Sequence, residues 1–261
     1  MADIIRSTKC GSEWGKNELI AYNITVETYI EKDFFKQKLE KISENIDKEF
    51  LEFEFTPGRD TPEDNELLGY LDLASRGQES MVDDFAKELL RSMKFNTKGR
   101  LIRTRHIIPF SMAGSDTTAQ TDVCILRKRD EILLLIQEDK KLGNLKDPEP
   151  QVIAEAIATF QQNNRVRENM GMNVLTEMLI PCITMIGTYP TFYLVPVTDE
   201  LNNCIITGMY PKLKTVVKRY LPIIPRRTSD GMKPIENRKK ILQCFEGFKE
   251  FVDDIEHLMK T

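Results

Sequence analysis

The stretch Ala119 to Leu142, AQTDVCILRKRDEILLLIQEDKKL, decides how this chain folds. Its apolar run Ile132 to Ile136 is short, β-branched at both ends and bounded by charge, which predicts a central strand buried on both faces rather than a helix. Side chains alternate along a strand, so Glu138 and Lys140 share one face at its end while Asp139 points to the other. Asp122, with Cys124 and Leu126 on its own side, falls on the neighbouring strand if Arg127 to Glu131, RKRDE, makes the turn. Two carboxylates and an ammonium then converge at one end of a sheet. That D…ExK arrangement is what a metal-dependent phosphodiesterase needs.

Composition describes a globular protein. With 261 residues, 41% hydrophobic and 30% charged, the chain can bury a sizeable core, and one elaborated domain is favoured over two small ones. The N-terminus, MADIIRSTKCGSEWGKNEL, lacks a basic start followed by a long apolar region and a small-residue cleavage site. No apolar run approaches membrane-spanning length, so neither secretion nor insertion is expected. Five cysteines (Cys10, Cys124, Cys182, Cys204, Cys244) lie without CxxC or Cys/His spacing, which argues against a disulfide framework and against structural zinc. A reduced compartment, cytoplasmic or nuclear, fits this usage.

A net charge of −4 weighs against a nucleic-acid partner, because phosphate neutralisation usually leaves a basic footprint. Local clusters soften that objection. Arg100, Arg103 and Arg105 alternate along an expected strand, and Lys140, Lys141 and Lys146 flank the acidic pair. Lys212, Lys214, Lys218, Arg219, Arg226 and Arg227 accumulate after Tyr210. Such runs are equally the makings of a solvated face; position around one site is what turns them into a groove.

The remaining sequence supplies the frame, with no internal repeat. Residues 1–73 read as an N-terminal elaboration: a strand at Leu19 to Tyr29, a helix at Lys32 to Glu49, then the turn-rich acidic segment TPGRDTPEDNE. Glu79 to Phe95 places Val82, Phe85, Leu89 and Met93 on one helical face that should dock on a sheet. Strands are expected at Arg100 to Phe110, Thr121 to Leu126 and Ile132 to Glu138, followed by a helix from Gln151 to about Arg165. Ile180 to Val197 reads as two strands around Gly187 to Pro190, with Leu201 to Thr207 as a third. The tail from about Pro234 to Met259 is an amphipathic helix carrying Ile241, Cys244, Phe245, Phe248, Phe251 and Ile255. Residues 74–210 thus form a core and 211–261 a basic segment and helix, one α/β domain with a mixed sheet covered by helices.

Helix, β-hairpin with Asp on its second strand, ExK on the third strand, then a helix opening with Gln resembles the core of the PD-(D/E)XK nuclease superfamily. The match spans roughly Glu79 to Val197. The phrases AQTDVCI, QEDK, DPEPQ and AEAIATFQQNN also resemble a group of fungal proteins assigned to that superfamily. The resemblance implies a restriction-endonuclease-like core (helix, three-stranded meander, helix, strand) with N-terminal and C-terminal elaborations. It implies that Asp122 and Glu138 hold Mg²⁺ or Mn²⁺, that the Asp139 carbonyl adds a ligand, and that Lys140 orients or deprotonates the attacking water. A metal relieves the repulsion between two close carboxylates and withdraws charge from a scissile phosphate.

Many members carry an acid on the first core helix, which points to Asp83 as a further ligand or to Glu79 one turn earlier; a solvated helix residue is the plain alternative. Gln151 opens the later helix, where some such nucleases place a glutamine near metal or DNA; a polar first-turn residue after Pro150 is the alternative. Thr121 stands where the superfamily often has Pro. The two histidines, His106 and His257, form no ligand-spaced pair and read as structural, and Cys124 reads as core.

Two functions are consistent with this reading. One is a divalent-metal-dependent nuclease acting on DNA or RNA. The other is a catalytically inactive nuclease fold that binds nucleic acid or, through its N-terminal region or C-terminal helix, a protein partner. Arg226 and Arg227, a spacer, then Arg238, Lys239 and Lys240 resemble a bipartite nuclear import signal, against the plainer reading of an exposed helix end.

Overall fold

The structure, a computed structural model, describes residues 6–56, 58, 60–76, 79–127, 130–138 and 147–260, with the backbone alone at Glu79 and Glu138. The apolar run in the diagnostic stretch forms β4 (Glu131–Glu138), and every residue from Ile132 to Ile136 is at most 2% exposed. Burying each such side chain contributes roughly 1.5–3 kcal/mol, so this strand fixes the middle of the fold. It is preceded by β2 (Leu101–Met112) and β3 (Ser115–Arg127) in an antiparallel meander. A 21-residue helix, α6 (Glu149–Asn169), then carries the chain to β5 (Glu177–Ile186), which pairs parallel to β4. The chain turns at Gly187 and returns antiparallel as β6 (Tyr189–Thr198).

The flanking segments extend this same sheet. β1 (Ile24–Thr28) pairs parallel with β7 (Thr215–Tyr220), which pairs antiparallel with β6, giving the seven-stranded order β1-β7-β6-β5-β4-β3-β2. Helices cover both faces. On one, Phe192 of β6 packs on Phe245 and Phe248 of α8 (Ile235–Leu258). On the other, its neighbour Tyr193 lies close to Glu149 of α6. The helix expected from Glu79 to Phe95 spans Glu79–Ser92 as α5 and lies against β2, β3 and β4 through Val82, Phe85 and Leu89.

Two side-chain amides lock α6 to the meander. Asn163, fully buried, accepts from Ile132 N (2.8 Å) and donates to Ile132 O (2.9 Å). Gln161 does the same for Ser111 of the edge strand, at 2.8 and 3.1 Å. The ladder from β4 to β5 begins only at Leu135, so Asn163 serves backbone groups that lie ahead of it.

Several expectations are corrected. Leu19 to Tyr29 is no single strand: α1 (Lys16–Ala21) precedes β1, with Glu18 closing back on Gly15 N (2.8 Å) and Asn23 breaking the chain at φ 53. Lys32 to Glu49 holds only the short α2 (Glu31–Phe34) and the start of α3 (Lys48–Glu52). Its Phe34 and Phe35 are drawn into a cluster with Tyr220 and Phe251, and that burial outweighs local helix propensity. A further helix, α4 (Glu66–Ser75), follows the acidic segment, capped by Asn65 accepting from Leu68 N (3.2 Å).

Leu201 to Thr207 is helical, within α7 (Asp199–Thr207), rather than a strand. Thr198 caps its start by accepting from Leu201 N (3.2 Å), and Gly208 ends it in the left-handed region at φ 72. The seventh strand is instead TVVKRY at β7, inside the basic stretch. Along β3, a register shift between Ile125 and Leu126 buries both, so Leu126 does not simply alternate with Asp122 and Cys124.

The basic clusters are largely structural. Arg100 is buried and bound to Glu256 (Nε to Oε2, 2.9 Å) and Asp253, so it lines no groove, whereas Arg103 and Arg105 are exposed on the edge strand. Lys214 pairs with Glu27, Lys218 lies over the Tyr29 ring, and Arg226 pairs with Glu236. Arg238 is fully buried, and its guanidinium donates to the carbonyls of Met232 (2.9 Å), Phe53 (3.0 Å), Lys233 (2.7 Å) and Phe50. With Lys240 tied to Glu31 (2.6 Å), only Lys239 of the second half of the import-signal pattern is exposed.

Candidate active site

Asp122 sits half-buried on β3, and Gln137 of β4 donates to its Oδ2 at 2.6 Å. The ladder explains the contact: Val123 is the partner of Ile136, so one step further along Asp122 meets Gln137. Glu138 is the next residue and the last of β4. Its side chain, and all of Asp139 and Lys140, lie outside the described residues, as do Lys141 and Lys146.

The first turns of α6 bring two more groups to this end of the sheet. Gln151 is half-buried and donates from Nε2 to Glu155 Oε1 (3.1 Å), one helical turn on. Glu155 is fully buried. Burial pushes its carboxyl well above the usual carboxylate range; the Gln151 amide acts against that shift, the charge of Asp122 adds to it, and the neighbouring Thr121 hydroxyl acts against it. Thr121 gives its own proton to Ile136 O (3.0 Å) or Val123 O (3.2 Å), and Glu155 Oε2 meets no hydrogen-bond partner among the described residues.

A polar row continues across the sheet. Thr184 of β5 is the register partner of Gln137, and Tyr193 of β6 lies close to both Thr184 and Glu149. Glu149 accepts from Arg219 Nη1 (2.8 Å), and Arg219 also donates to Thr28 Oγ1 from Nε (3.2 Å) and Nη2 (2.9 Å). Burial raises the Glu149 pKa against the pull of Arg219.

Asp83 is half-buried on α5, the helix that reaches the strands carrying Asp122 and Glu138; Glu79 lies one turn earlier on the same helix. Cys124 is buried with its thiol pushed up to about 12 by that burial, which leaves it unreactive. His106 is buried too, with its pKa lowered by burial and by Arg103, and its Nδ1 has no hydrogen-bond partner among the described residues. The cysteines are all free thiols.

Among the described residues no three His, Cys, Asp or Glu side chains gather to hold a metal ion. Asp122 and Glu155 supply two carboxyl groups there, the hard oxygen donors that Mg²⁺ and Mn²⁺ take, and the partnerless Glu155 oxygen is an opening for such an ion. No family model matches this chain, and no curated protein matches it. No helix among the described residues is long and apolar enough to cross a membrane.

Glu155, Glu149, Arg219 and Tyr193 were not legible as site residues in the sequence. The one available signal was the lone carboxylate in VIAEAIATF, four residues after Gln151 on an otherwise apolar helix.

Proposed function

We propose that the chain is a PD-(D/E)XK-type nuclease that hydrolyses phosphodiester bonds of DNA or RNA with Mg²⁺ or Mn²⁺. The observation that carries this reading is the place of Asp122, half-buried on β3 and tied to Gln137, at the end of the meander where Glu138 closes the neighbouring strand β4. The element order α5-β2-β3-β4-α6-β5, antiparallel through β4 and parallel at β5, supports it as the order expected of a restriction-endonuclease-like core.

In this reading Asp122 and Glu138 hold the cation with the Asp139 carbonyl, and Asp83 is a further acid from α5. The bound ion supplies charge neutralisation at the scissile phosphate. Lys140 orients the attacking water or takes its proton, a role suited to an ammonium whose pKa drops beside a cation. Gln151, held by its bond to Glu155, is the glutamine that meets metal or nucleic acid in this reading. Arg103 and Arg105, exposed on the edge strand, are the described cations free to meet a phosphate backbone near β3.

The test is incubation with single- and double-stranded DNA and RNA in Mn²⁺, with EDTA and the Glu138→Ala and Lys140→Ala variants as controls. The reading expects cleavage that both variants and EDTA abolish. Wild-type protein that cleaves none of the four substrates overturns it and leaves the inactive, binding form of the fold.

A further inference from the structure

Glu155 occupies a position that α6 could have given to alanine or leucine. Its neighbours Ala154, Ala156 and Thr159 are fully buried with it, and the helix packs there against β3, β4 and β5. A buried oxygen without a partner destabilises the fold, and Oε2 is such an oxygen among the described residues. The other oxygen is clamped by Gln151, and the carboxyl feels the charge of Asp122. An acid so buried, half satisfied and set beside a second carboxylate is a fold liability that a cation removes. Two carboxylates share a divalent ion where they would repel each other without it.

We infer that Glu155 is a further oxygen ligand of the divalent cation held at Asp122, binding it through Oε2. The inference rests on the nuclease reading above. Gln151 then acts as a positioning residue, holding Oε1 so that Oε2 is the oxygen left for the ion.

The test is Mn²⁺ binding, followed by electron paramagnetic resonance, with bound water counted by electron–nuclear double resonance. Wild type, Asp122→Asn, Glu155→Gln and Glu155→Asp are compared. Wild-type binding is expected to weaken strongly in Asp122→Asn and about tenfold or more in Glu155→Gln, whose cation gains one water in place of the lost ligand. Glu155→Asp keeps a carboxylate and should restore the wild-type water count. A structural role alone leaves that count unchanged in every Glu155 variant. If Glu155→Gln binds Mn²⁺ like the wild type while Asp122→Asn does not, the inference falls and the cation site stands. If the wild type itself binds no Mn²⁺, the site reading falls and takes the inference with it.

Discussion

Replacing Asn163 by alanine tests whether the helix that carries Gln151 and Glu155 is held to the central strand as described. Asn163 is fully buried, and its amide meets both Ile132 backbone groups, at 2.8 and 2.9 Å. Ile132 is itself 0% exposed, so water cannot take over either bond without opening the core. Leaving two buried backbone groups unmade costs roughly 1–3 kcal/mol each, or about 3–4 kcal/mol in all once partial relaxation is allowed. In a protein of this size that is a fall in melting temperature of about 6–14 °C, measured by thermal and urea denaturation. Gln161→Ala is the internal comparison, because its partner Ser111 is half-buried and solvent can reach it. That variant should lose only about 1 kcal/mol. A loss below about 1 kcal/mol in Asn163→Ala, or equal losses in the two variants, refutes the reasoning.

The folded-state pKa of Glu155 stands above its ordinary 4.5, so its contribution to stability is present below that value and is lost as pH rises toward the folded one. As pH rises above about 5 the wild type should lose stability relative to Glu155→Gln, read by urea denaturation; parallel pH profiles contradict the burial described. Arg238→Met removes a guanidinium that four carbonyls hold and should cost about 3 kcal/mol in the same assay, since it strips several charge-assisted bonds but also removes a desolvated charge. Gly231 lies at φ 51, and an added Cβ would collide with Thr188 Oγ1. Gly231→Ala should therefore destabilise by about 2 kcal/mol or more, and an unchanged melting temperature would count against that close approach.

The centre of the fold was legible because its signals are local. Ile132 to Ile136 is too short for a helix and too apolar for a loop, and the structure makes it the most buried strand. α5 and α8 were readable from apolar residues at helical spacing, which survive in their buried faces. Readings failed where tertiary contacts override local preference. Phe34 and Phe35 look helical in sequence, yet aromatic partners nearly two hundred residues away claim them. The β7 segment was hidden by Lys218, Arg219 and the adjoining Lys214, whose charges are taken up by the Tyr29 ring, Glu149 and Glu27 rather than offered to a partner. At the site, Asp122 could be placed from strand order alone. The contribution of Glu155 could not, because a carboxylic acid in the interior of a helix is recognisable only once the sheet beneath it is known.

The account turns on a divalent cation at Asp122 and Glu138, and the most direct measurement is the melting temperature of the wild type, Asp122→Asn and Glu138→Ala as Mn²⁺ is added. At about one hundred times its dissociation constant, an ion bound only by the folded state adds about 2.7 kcal/mol. That corresponds to a rise of about 5–10 °C in the wild type, and the account predicts this rise with little or none in the two variants. A wild-type melting curve that Mn²⁺ leaves as unmoved as those of the variants would contradict it.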